Sequence, residues 1–190
     1  QFVPEGAVEY TADLLVTHRI QLKISKPRQS KFGDYRLAGP GQPHFISVNR
    51  DLNPYHFLIT FLHEVAHLEN YLQYGRSVRP HGDEWKKHFQ YLGYPIFEKH
   101  ILPQDVHQSL FRYLAPPKAS SCSDPLLIKT LKKYDPKKEG IMHVDEVPFG
   151  IPFIASDGRT YIKNKKLRSR YQCTNLETGL IYFVPGLMEC

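Results

Sequence analysis

The chain has 190 residues, three cysteines and a formal net charge of +6. This length suits one domain of moderate size, or one domain with a small appendage. A domain of this size can bury a large enough core to be stable without disulfide bonds. Because Cys122, Cys173 and Cys190 lie far apart and never form a Cys-x-x-Cys pair, the sequence excludes a disulfide framework and indicates a reducing compartment.

The sequence shows no targeting or membrane segment. Its start has neither the basic nor the apolar region of a signal peptide, and no apolar run reaches the ~20 residues of a membrane span. We therefore expect a cytoplasmic protein without a membrane partner, or a nucleoid or nuclear protein if it associates with DNA. The positive charge indicates an anionic partner without identifying it.

The first fifty residues predict one helix followed by three strands. Apolar residues within 5–18 recur at helical spacing, which predicts an N-terminal helix. Apolar and polar residues alternate in Ile20–Ser25, and residues 31–37 and 44–49 are further strand candidates. We expect these three strands to form a small antiparallel sheet.

The most informative stretch is an apolar run from Pro54 to about residue 74, with Asn53 as its helix cap. On a helix, His63 and His67 lie one turn apart on the same face, so both imidazoles can bind one metal ion. Glu64 lies on the same side and can act as a general base on water, which is the zincin arrangement. The alternative is a buried helix whose histidines hydrogen-bond locally.

Two histidines hold Zn²⁺ weakly, and catalytic zinc sites usually have three protein ligands. A second helix is predicted to begin near Gly82 and to end at Gly93. His81, at its N-terminal edge, can fold back against the first two histidines. Glu84 is the competing third ligand, since some zincins use a glutamate from a following helix. The plainer interpretations are a loop histidine and an acid that complements the helix dipole.

Several motifs then occur together. They are Lys31-Phe-Gly-Asp, Ile46-Ser-Val-Asn49, Leu52, His63-Glu64-x-x-His67 and His81-Gly82-x-Glu84-Trp85. In order and spacing they resemble the SprT-like zinc metalloproteases, the family of the DNA–protein crosslink protease Spartan. The resemblance covers about residues 5–95 and recurs weakly near the C-terminus.

The resemblance implies an α+β fold with a zincin-like metalloprotease domain. That domain would hold an N-terminal helix, a small antiparallel sheet, the helix with the His-Glu-x-x-His motif and following helices. The resemblance also implies that His63, His67 and His81 bind one catalytic Zn²⁺, that Glu64 is the catalytic residue, and that His81 is favoured over Glu84 as the third ligand.

Composition divides the chain into three parts. Residues 1–114 form the predicted metalloprotease domain, which includes a helix at 105–114. Residues 115–146 are a predicted linker with a short helix at 126–134. Residues 147–190 are a predicted small β-rich subdomain, in which Asp157-Gly158 is a strong hairpin signal.

The C-terminal subdomain departs from the family pattern. In many SprT-like proteins this region is a zinc ribbon with two Cys-x-x-Cys pairs, whose positions here hold Ile154, Asp157, Cys173 and Leu176. Because one thiol cannot hold a structural zinc, we expect no second zinc and a degenerate ribbon held by packing. The candidates for that packing are Ile154, Ile162, Leu167, Tyr171 and Leu176.

The same ribbon is strongly basic: residues 159–171 hold six basic residues and no acid. With strand alternation, basic residues and a tyrosine share faces that suit a nucleic-acid backbone and stacked bases. The predicted nucleic-acid contacts are Arg159, Tyr161 and Lys163 on one strand and Lys166, Arg168 and Arg170 on the next. The alternative is a solvated face of an exposed hairpin.

The predicted function is a zinc-dependent endopeptidase with a protein substrate and with DNA as a partner of the basic ribbon. Glu64 would take a proton from the attacking water and pass it to the leaving amine. The candidate donors to the oxyanion are Tyr71, Tyr74, His88 and Arg36, among which the sequence does not choose. The alternatives are a non-catalytic nucleic-acid-binding module with a structural zinc, and a peptidase with no DNA role.

Overall fold

The computed structural model describes residues 1–28, 30–37, 39, 41–114, 124–136, 142–168 and 170–190. In these ranges the chain forms five α-helices and two small sheets, so the predicted mixed α+β composition is confirmed. The chain divides into two compact units, residues 1–135 and 136–190. None of the helices in the described ranges is both long and apolar enough to span a membrane.

The first unit begins with helix α1 (Val8–Thr17) and a three-stranded sheet of β1 (Ile20–Ser25), β2 (Gly33–Arg36) and β3 (His44–Asn49). The strand order is β1-β3-β2. β2 pairs antiparallel with β3, but β1 pairs parallel with β3, so the prediction of an antiparallel sheet is wrong for β1. Two chain reversals leave β1 and β3 running the same way, and β3, with four consecutive buried residues, takes the central position.

Helix α2 (Pro54–Tyr74) is the central element of the first unit and packs against β2, β3 and two later helices. It begins as predicted, because the Asn53 side chain accepts the backbone N–H of His56 at 3.0 Å and Pro54 occupies the first turn. Its apolar side chains from Phe57 to Leu68 are almost fully buried, and burying each of the larger ones contributes about 1.5–3 kcal/mol. Because this packing holds α2 in place, it also fixes the positions from which the polar side chains of α2 project.

Helices α3 (Asp83–Glu98) and α4 (Gln104–Leu114) follow. The prediction that α3 ends at Gly93 is wrong, because the helix continues through Gly93 and Pro95. A Cβ atom at Gly93 would lie 3.3 Å from the Phe97 ring and 3.7 Å from a Leu114 methyl carbon. This glycine therefore provides close packing within the helical layer and does not terminate the helix.

Helix α5 (Pro125–Lys132), predicted to lie in a linker, belongs to the first unit and packs on α2 and α4. The Asp124 side chain caps it by accepting the N–H groups of Leu126 and Leu127. At the other end, Asn53 Nδ2 donates to Leu131 O at 2.8 Å. The residue that caps α2 thus also holds the end of α5. Residues 115–123 and 137–141 of the predicted linker lie outside the described residues.

The second unit is an antiparallel meander of β4 (Pro152–Ile154), β5 (Thr160–Lys166), β6 (Arg170–Asn175) and β7 (Ile181–Pro185). Its core residues are Val144, Val147, Phe153, Ala155, Tyr161, Tyr171, Cys173 and Val184.

Of the five residues predicted to hold the ribbon together, Tyr171 is buried and Ile162 is half-buried. The prediction is wrong for Ile154, Leu167 and Leu176, which are 64%, 37% and 49% exposed. The physical reason is strand alternation: Phe153 points into the core, so its neighbour Ile154 points out.

Lys163 is a buried cation in the core of the second unit, with 2% of its surface exposed. Its Nζ donates to Val144 O at 2.8 Å and to Asp145 O at 3.4 Å. It also lies 4.9 Å from the ring centroid of Phe149 and 4.4 Å from that of Tyr171. Carbonyl oxygens and aromatic faces together compensate for the lost hydration of the ammonium group.

Replacing Lys163 with methionine keeps most of the side-chain volume but leaves two inward-facing carbonyls without their donor. We expect the free energy of unfolding of the second unit to fall by about 1–3 kcal/mol, the usual penalty for buried unsatisfied groups. Hydrogen exchange of residues 142–190 in a urea series measures this change. The control is Lys165→Met, an exposed lysine two residues away, which should change stability by less than ~0.5 kcal/mol. Equal effects of both variants would contradict a structural role for Lys163.

Candidate metal centre

Three histidines converge on one point of the first unit. His63 and His67 project from adjacent turns of α2, and His81 lies in the loop just before α3. The Nε2 atom of His63 lies 3.2 Å from the Nε2 atom of His67 and 3.2 Å from that of His81. The three ligand atoms all lie within 4.8 Å of one another. The structure therefore brings together the three histidines that the sequence singled out.

The chemistry of this donor set fits Zn²⁺. Four ligands at about 2.0–2.1 Å in a tetrahedron lie about 3.3 Å from one another, close to the observed nitrogen separations. Burial, and next the neighbouring imidazoles, hold the pKa of His63 well below its usual value. Burial and then His81 lower the pKa of His67 to about 4, and burial lowers the pKa of His81. The imidazoles are thus neutral at pH 7, the form that binds metals.

Trp85, in the first turn of α3, packs against all three imidazoles. Its ring centroid lies 4.7 Å from that of His63, 5.4 Å from that of His67 and 4.8 Å from that of His81. Sequence reasoning noted this tryptophan in a motif but missed its role, which is to fix the orientation of the histidines from one side. Glu84, the competing ligand, is not part of the group of converging ligand atoms.

The backbone of His81 lies in the left-handed region, with φ of 61°. A non-glycine residue pays about 1 kcal/mol or more for this conformation, and such residues cluster at functional sites. The strain follows from geometry, because α2 ends at Tyr74 and the chain must turn His81 back towards α2 before α3 begins.

Glu64 is buried, with 7% of its surface exposed, and lies against strand β2. A Cβ atom at Gly33 would be 2.5 Å from Glu64 Oε1 and 2.8 Å from its Cγ, so only glycine fits there. Burial, and next the charge of Asp34, raise the pKa of Glu64 to about 7. A hydrogen bond from the backbone N–H of Tyr35 acts in the opposite direction and orients the carboxyl group.

The segment that leads to Gly33 is held by Asn49 at the end of β3. Asn49 Oδ1 accepts Arg28 Nε–H at 2.8 Å, and Asn49 Nδ2 donates to the carbonyls of Arg28 and Lys31, both at 3.1 Å. The backbone N–H of Asn49 also donates to Phe32 O at 2.9 Å. These four hydrogen bonds give a physical reason for the asparagine in the motif Ile46-Ser-Val-Asn49. Sequence reasoning missed this reason.

The metal centre lies in a cleft of about 930 Å³ in the first unit. Of the four predicted oxyanion donors, Tyr71 lines this cleft and the other three do not. His88 Nδ1 instead lies 3.1 Å from Glu69 Oε2, and Arg36 Nε donates to Asp34 at 3.0 Å. The Tyr74 ring packs against the ring of His88. Tyr71 is therefore the remaining side-chain candidate from that set.

The predicted nucleic-acid residues do not share one face. Tyr161 and Lys163 are each 2% exposed and face the core, so the prediction is wrong for them. Arg159 is exposed just before β5, about 20 Å along the strand from Lys166. Lys166, Arg168 and Arg170 are exposed at the tip of the β5–β6 hairpin, where Lys165 joins them. None of the ion pairs in the described ranges involves Lys165, Lys166, Arg168 or Arg170.

A second group of possible ligands, His143, Asp145 and Glu146, lies in the second unit. His143 Nδ1 is 3.6 Å from Glu146 Oε2, and the side chain of Glu146 is more than half exposed. Exposed acidic groups often approach one another without a metal, so this group alone does not indicate a second centre.

Comparison with known proteins agrees with the geometry. The sequence profile of the SprT-like family matches residues 7–104, just over half of the chain, a range that includes the three histidines, Glu64 and Gly33. No curated protein and no solved structure matches the chain. The family is associated with metalloprotease-like function and typically with zinc. On this match and the convergent histidines, the chain belongs to the SprT-like family.

Proposed function

We propose that the chain is a zincin-type zinc endopeptidase in which His63, His67 and His81 bind one Zn²⁺. The observation that carries this proposal is the convergence of three neutral imidazoles beside a buried carboxyl group in an open cleft. Zinc, when bound, would supply Lewis-acid polarisation of the scissile carbonyl and lower the pKa of water.

Glu64 is the catalytic base in this proposal. With a pKa of about 7, its carboxyl group can both accept and donate a proton near neutral pH. It accepts a proton as the oxygen of water attacks the carbonyl carbon, and it returns that proton to the amine as the C–N bond breaks. The Tyr35 N–H keeps the carboxyl group oriented, and Tyr71, which lines the cleft, is the proposed donor to the developing oxyanion.

The dimensions of the cleft favour an extended peptide as the substrate. Side chains of α2 line it from His56 to Tyr71, a span of about 22 Å at 1.5 Å per residue. An extended chain rises about 3.3 Å per residue, so this span accommodates about six or seven residues. His63 and Glu64 lie near the middle, which suits cleavage within a chain and not at its end.

The alternative of a purely structural zinc requires a fourth protein ligand. Within the described residues, only the three histidines form the group at this position. The site also opens into a large cleft, whereas structural zinc sites are closed. These two observations favour the enzyme over the non-catalytic module.

Glu64→Gln removes the base but keeps the side-chain size. We expect proteolysis to fall by about 100- to 10,000-fold, the usual contribution of general base catalysis, while one zinc per chain is retained. Metal analysis and cleavage of an unfolded protein substrate measure the two quantities. Chelation should abolish cleavage by the wild-type chain and zinc should restore it. Undiminished proteolysis by Glu64→Gln would overturn the mechanism.

Gly33→Ala tests whether strand β2 positions the carboxyl group of Glu64, the proposed base. The added methyl group would clash with Glu64 and with Thr60 Cγ2, at 2.8 Å, so Glu64 must shift. Because misplacement by about 1 Å can lower rates 100-fold, we expect kcat/KM to fall about 10- to 100-fold with zinc content unchanged. The control is Gly39→Ala, whose added methyl group would meet only Gln42 Cγ at 3.9 Å. Equal activity of both variants would refute this positioning role.

We also propose that the basic hairpin tip of the second unit contacts nucleic acid, so that DNA-associated proteins are among the substrates. The supporting observation is the clustering of Lys165, Lys166, Arg168 and Arg170 without ion-pair partners among the described residues. A peptidase with no DNA role is the alternative.

The triple variant Lys166→Ala/Arg168→Ala/Arg170→Ala tests this contact. For single-stranded DNA, we expect the slope of log affinity against log salt to decrease by about 2, or about 0.7 per lost phosphate contact. Fluorescence anisotropy over a salt series measures the slope. A control with the same charge change is Lys23→Ala/Lys26→Ala/Arg50→Ala, three exposed positions of the first unit. The same slope in wild type and the hairpin variant would rule out the hairpin as the binding site.

A further inference from the structure

The cleft around the metal centre has two halves of different chemistry. Side chains at successive turns of α2 line it on both sides of His63. Towards the N-terminus of α2 the lining residues are His56, Ile59 and Thr60, and towards its C-terminus they are His67, Asn70 and Tyr71. A peptide lying along α2 therefore meets a different environment on each side of its scissile bond.

Helices α3, α4 and α5 contribute apolar side chains to the first half. The ring centroid of Phe89 lies 5.7 Å from that of His63 and 6.3 Å from that of Tyr113. Leu131 is fully buried beneath this half, whereas Ile128 and Tyr113 are half-buried at its walls. Apolar side chains from four helices thus line the cleft beside the metal centre, together with the polar side chains of His56, Thr60 and Asp124. The apolar half is defined by Ile59, Phe89, Tyr113, Leu127, Ile128 and Leu131.

The second half has a different lining, which also includes Val78 and Pro80. Besides Asn70 and Tyr71, it is lined by Arg76, whose side chain is exposed, and by residues of the loop that precedes His81. This half offers an amide, a phenol and a guanidinium group, whereas the first half adds a cluster of apolar side chains from α3, α4 and α5 to His56 and Thr60. A bound peptide can therefore be recognised differently by the two halves of the cleft.

Helix α5 is anchored firmly enough to serve as a wall. Ser109 and Thr130 hydrogen-bond between α4 and α5 at 3.1 Å in a buried position. Just beyond α5, Tyr134 OH donates to Asp105 at 2.6 Å and Lys133 pairs with the same carboxylate at 3.0 Å. With the Asn53 bond to Leu131 O, these contacts hold the C-terminal end of α5 in place. Ile128, one turn earlier, lines the cleft from this anchored helix.

We propose that the apolar half is a subsite for one large apolar side chain, such as leucine, methionine or phenylalanine, adjacent to the scissile bond on one side only. The inference rests on the proposed peptide-bond hydrolysis and deepens it by naming the substrate class. Helix α5, which supplies Leu127, Ile128 and Leu131 to this subsite, lies outside the family match at residues 7–104.

The first test is cleavage by the full zinc-loaded chain. Peptides that carry leucine, alanine or glutamate at each position around one cleavable bond are compared by kcat/KM. We expect leucine to exceed alanine by at least tenfold on one side of the bond, within the roughly 10- to 200-fold that apolar pockets deliver, and to give no such gain on the other side. Equal rates for leucine and alanine on both sides would overturn the subsite.

The second test measures binding without catalysis. The chain has a single tryptophan, Trp85, which packs on the metal centre and can transfer excitation energy to a dansyl group on a bound peptide. With zinc-loaded Glu64→Gln, a dansyl peptide of alanines with one central leucine should bind at least tenfold more tightly than its all-alanine counterpart. Equal affinities would again overturn the proposal.

Matched variants localise the effect on α5. Ile128→Gln should reduce the leucine-over-alanine ratio to below about threefold in both tests. Leu126→Gln, on the exposed side of the same helix, should leave the ratio unchanged. An undiminished ratio in a folded Ile128→Gln chain would overturn the assignment to this wall. If Ile128→Gln does not fold, Tyr113→Ser is the replacement and is judged by the same ratio.

The tests separate the two possible failures. Selective binding of the leucine peptide without any cleavage would refute the endopeptidase function and uphold the apolar subsite. Cleavage without side-chain preference, together with equal affinities, would refute the subsite and uphold the endopeptidase.

Discussion

The structure of the first unit depends on one constraint: a buried helix carries a stripe of polar side chains that need partners. Along α2 that stripe includes His56, Thr60, His63, His67 and Asn70, and apolar packing encloses the helix on its other sides. Burying an imidazole without a partner is unfavourable, and here burial keeps His63 and His67 neutral. The surrounding elements therefore either supply partners or leave room for a ligand, and the cleft is the consequence.

Each neighbouring element meets this constraint in a different way. Strand β2 approaches Glu64 so closely that Gly33 must lack a side chain, and the Tyr35 N–H reaches the carboxyl group from the same strand. The loop before α3 accepts left-handed backbone at His81 to place a third imidazole, and Trp85 supports all three rings. Stabilisation from the core thus offsets local strain at the site, as is common where geometry serves chemistry.

Much of the site could be predicted because its signals are local. The four-residue separation of His63 and His67 places them on one helix face whatever the rest of the chain does, and Asn53 with Pro54 marks the start of that helix. His81 came from the motif it shares with Trp85 and from the family resemblance.

The features that escaped prediction depend on contacts distant in sequence. The parallel pairing of β1 with β3 is set by which strand takes the centre of the sheet, and Gly33 matters only because Glu64 is opposite. In the second unit, the phase of strand alternation decided the outcome: Phe153, Tyr161 and Lys163 face inward, so Ile154 faces solvent. Nothing in a short basic segment reveals that one of its lysines is the buried one.

Lys163 organises the core of the second unit, where one cysteine, Cys173, stands at the four positions compared with a zinc ribbon. A structural zinc holds a small ribbon by drawing chain segments towards one positive charge. Here the ammonium of Lys163 supplies a charge from within the chain, and the carbonyls of Val144 and Asp145 and two aromatic rings converge on it. Contacts within the chain thus stabilise the core of the second unit among the residues that the structure describes, with the Lys163 ammonium as the charge on which they converge.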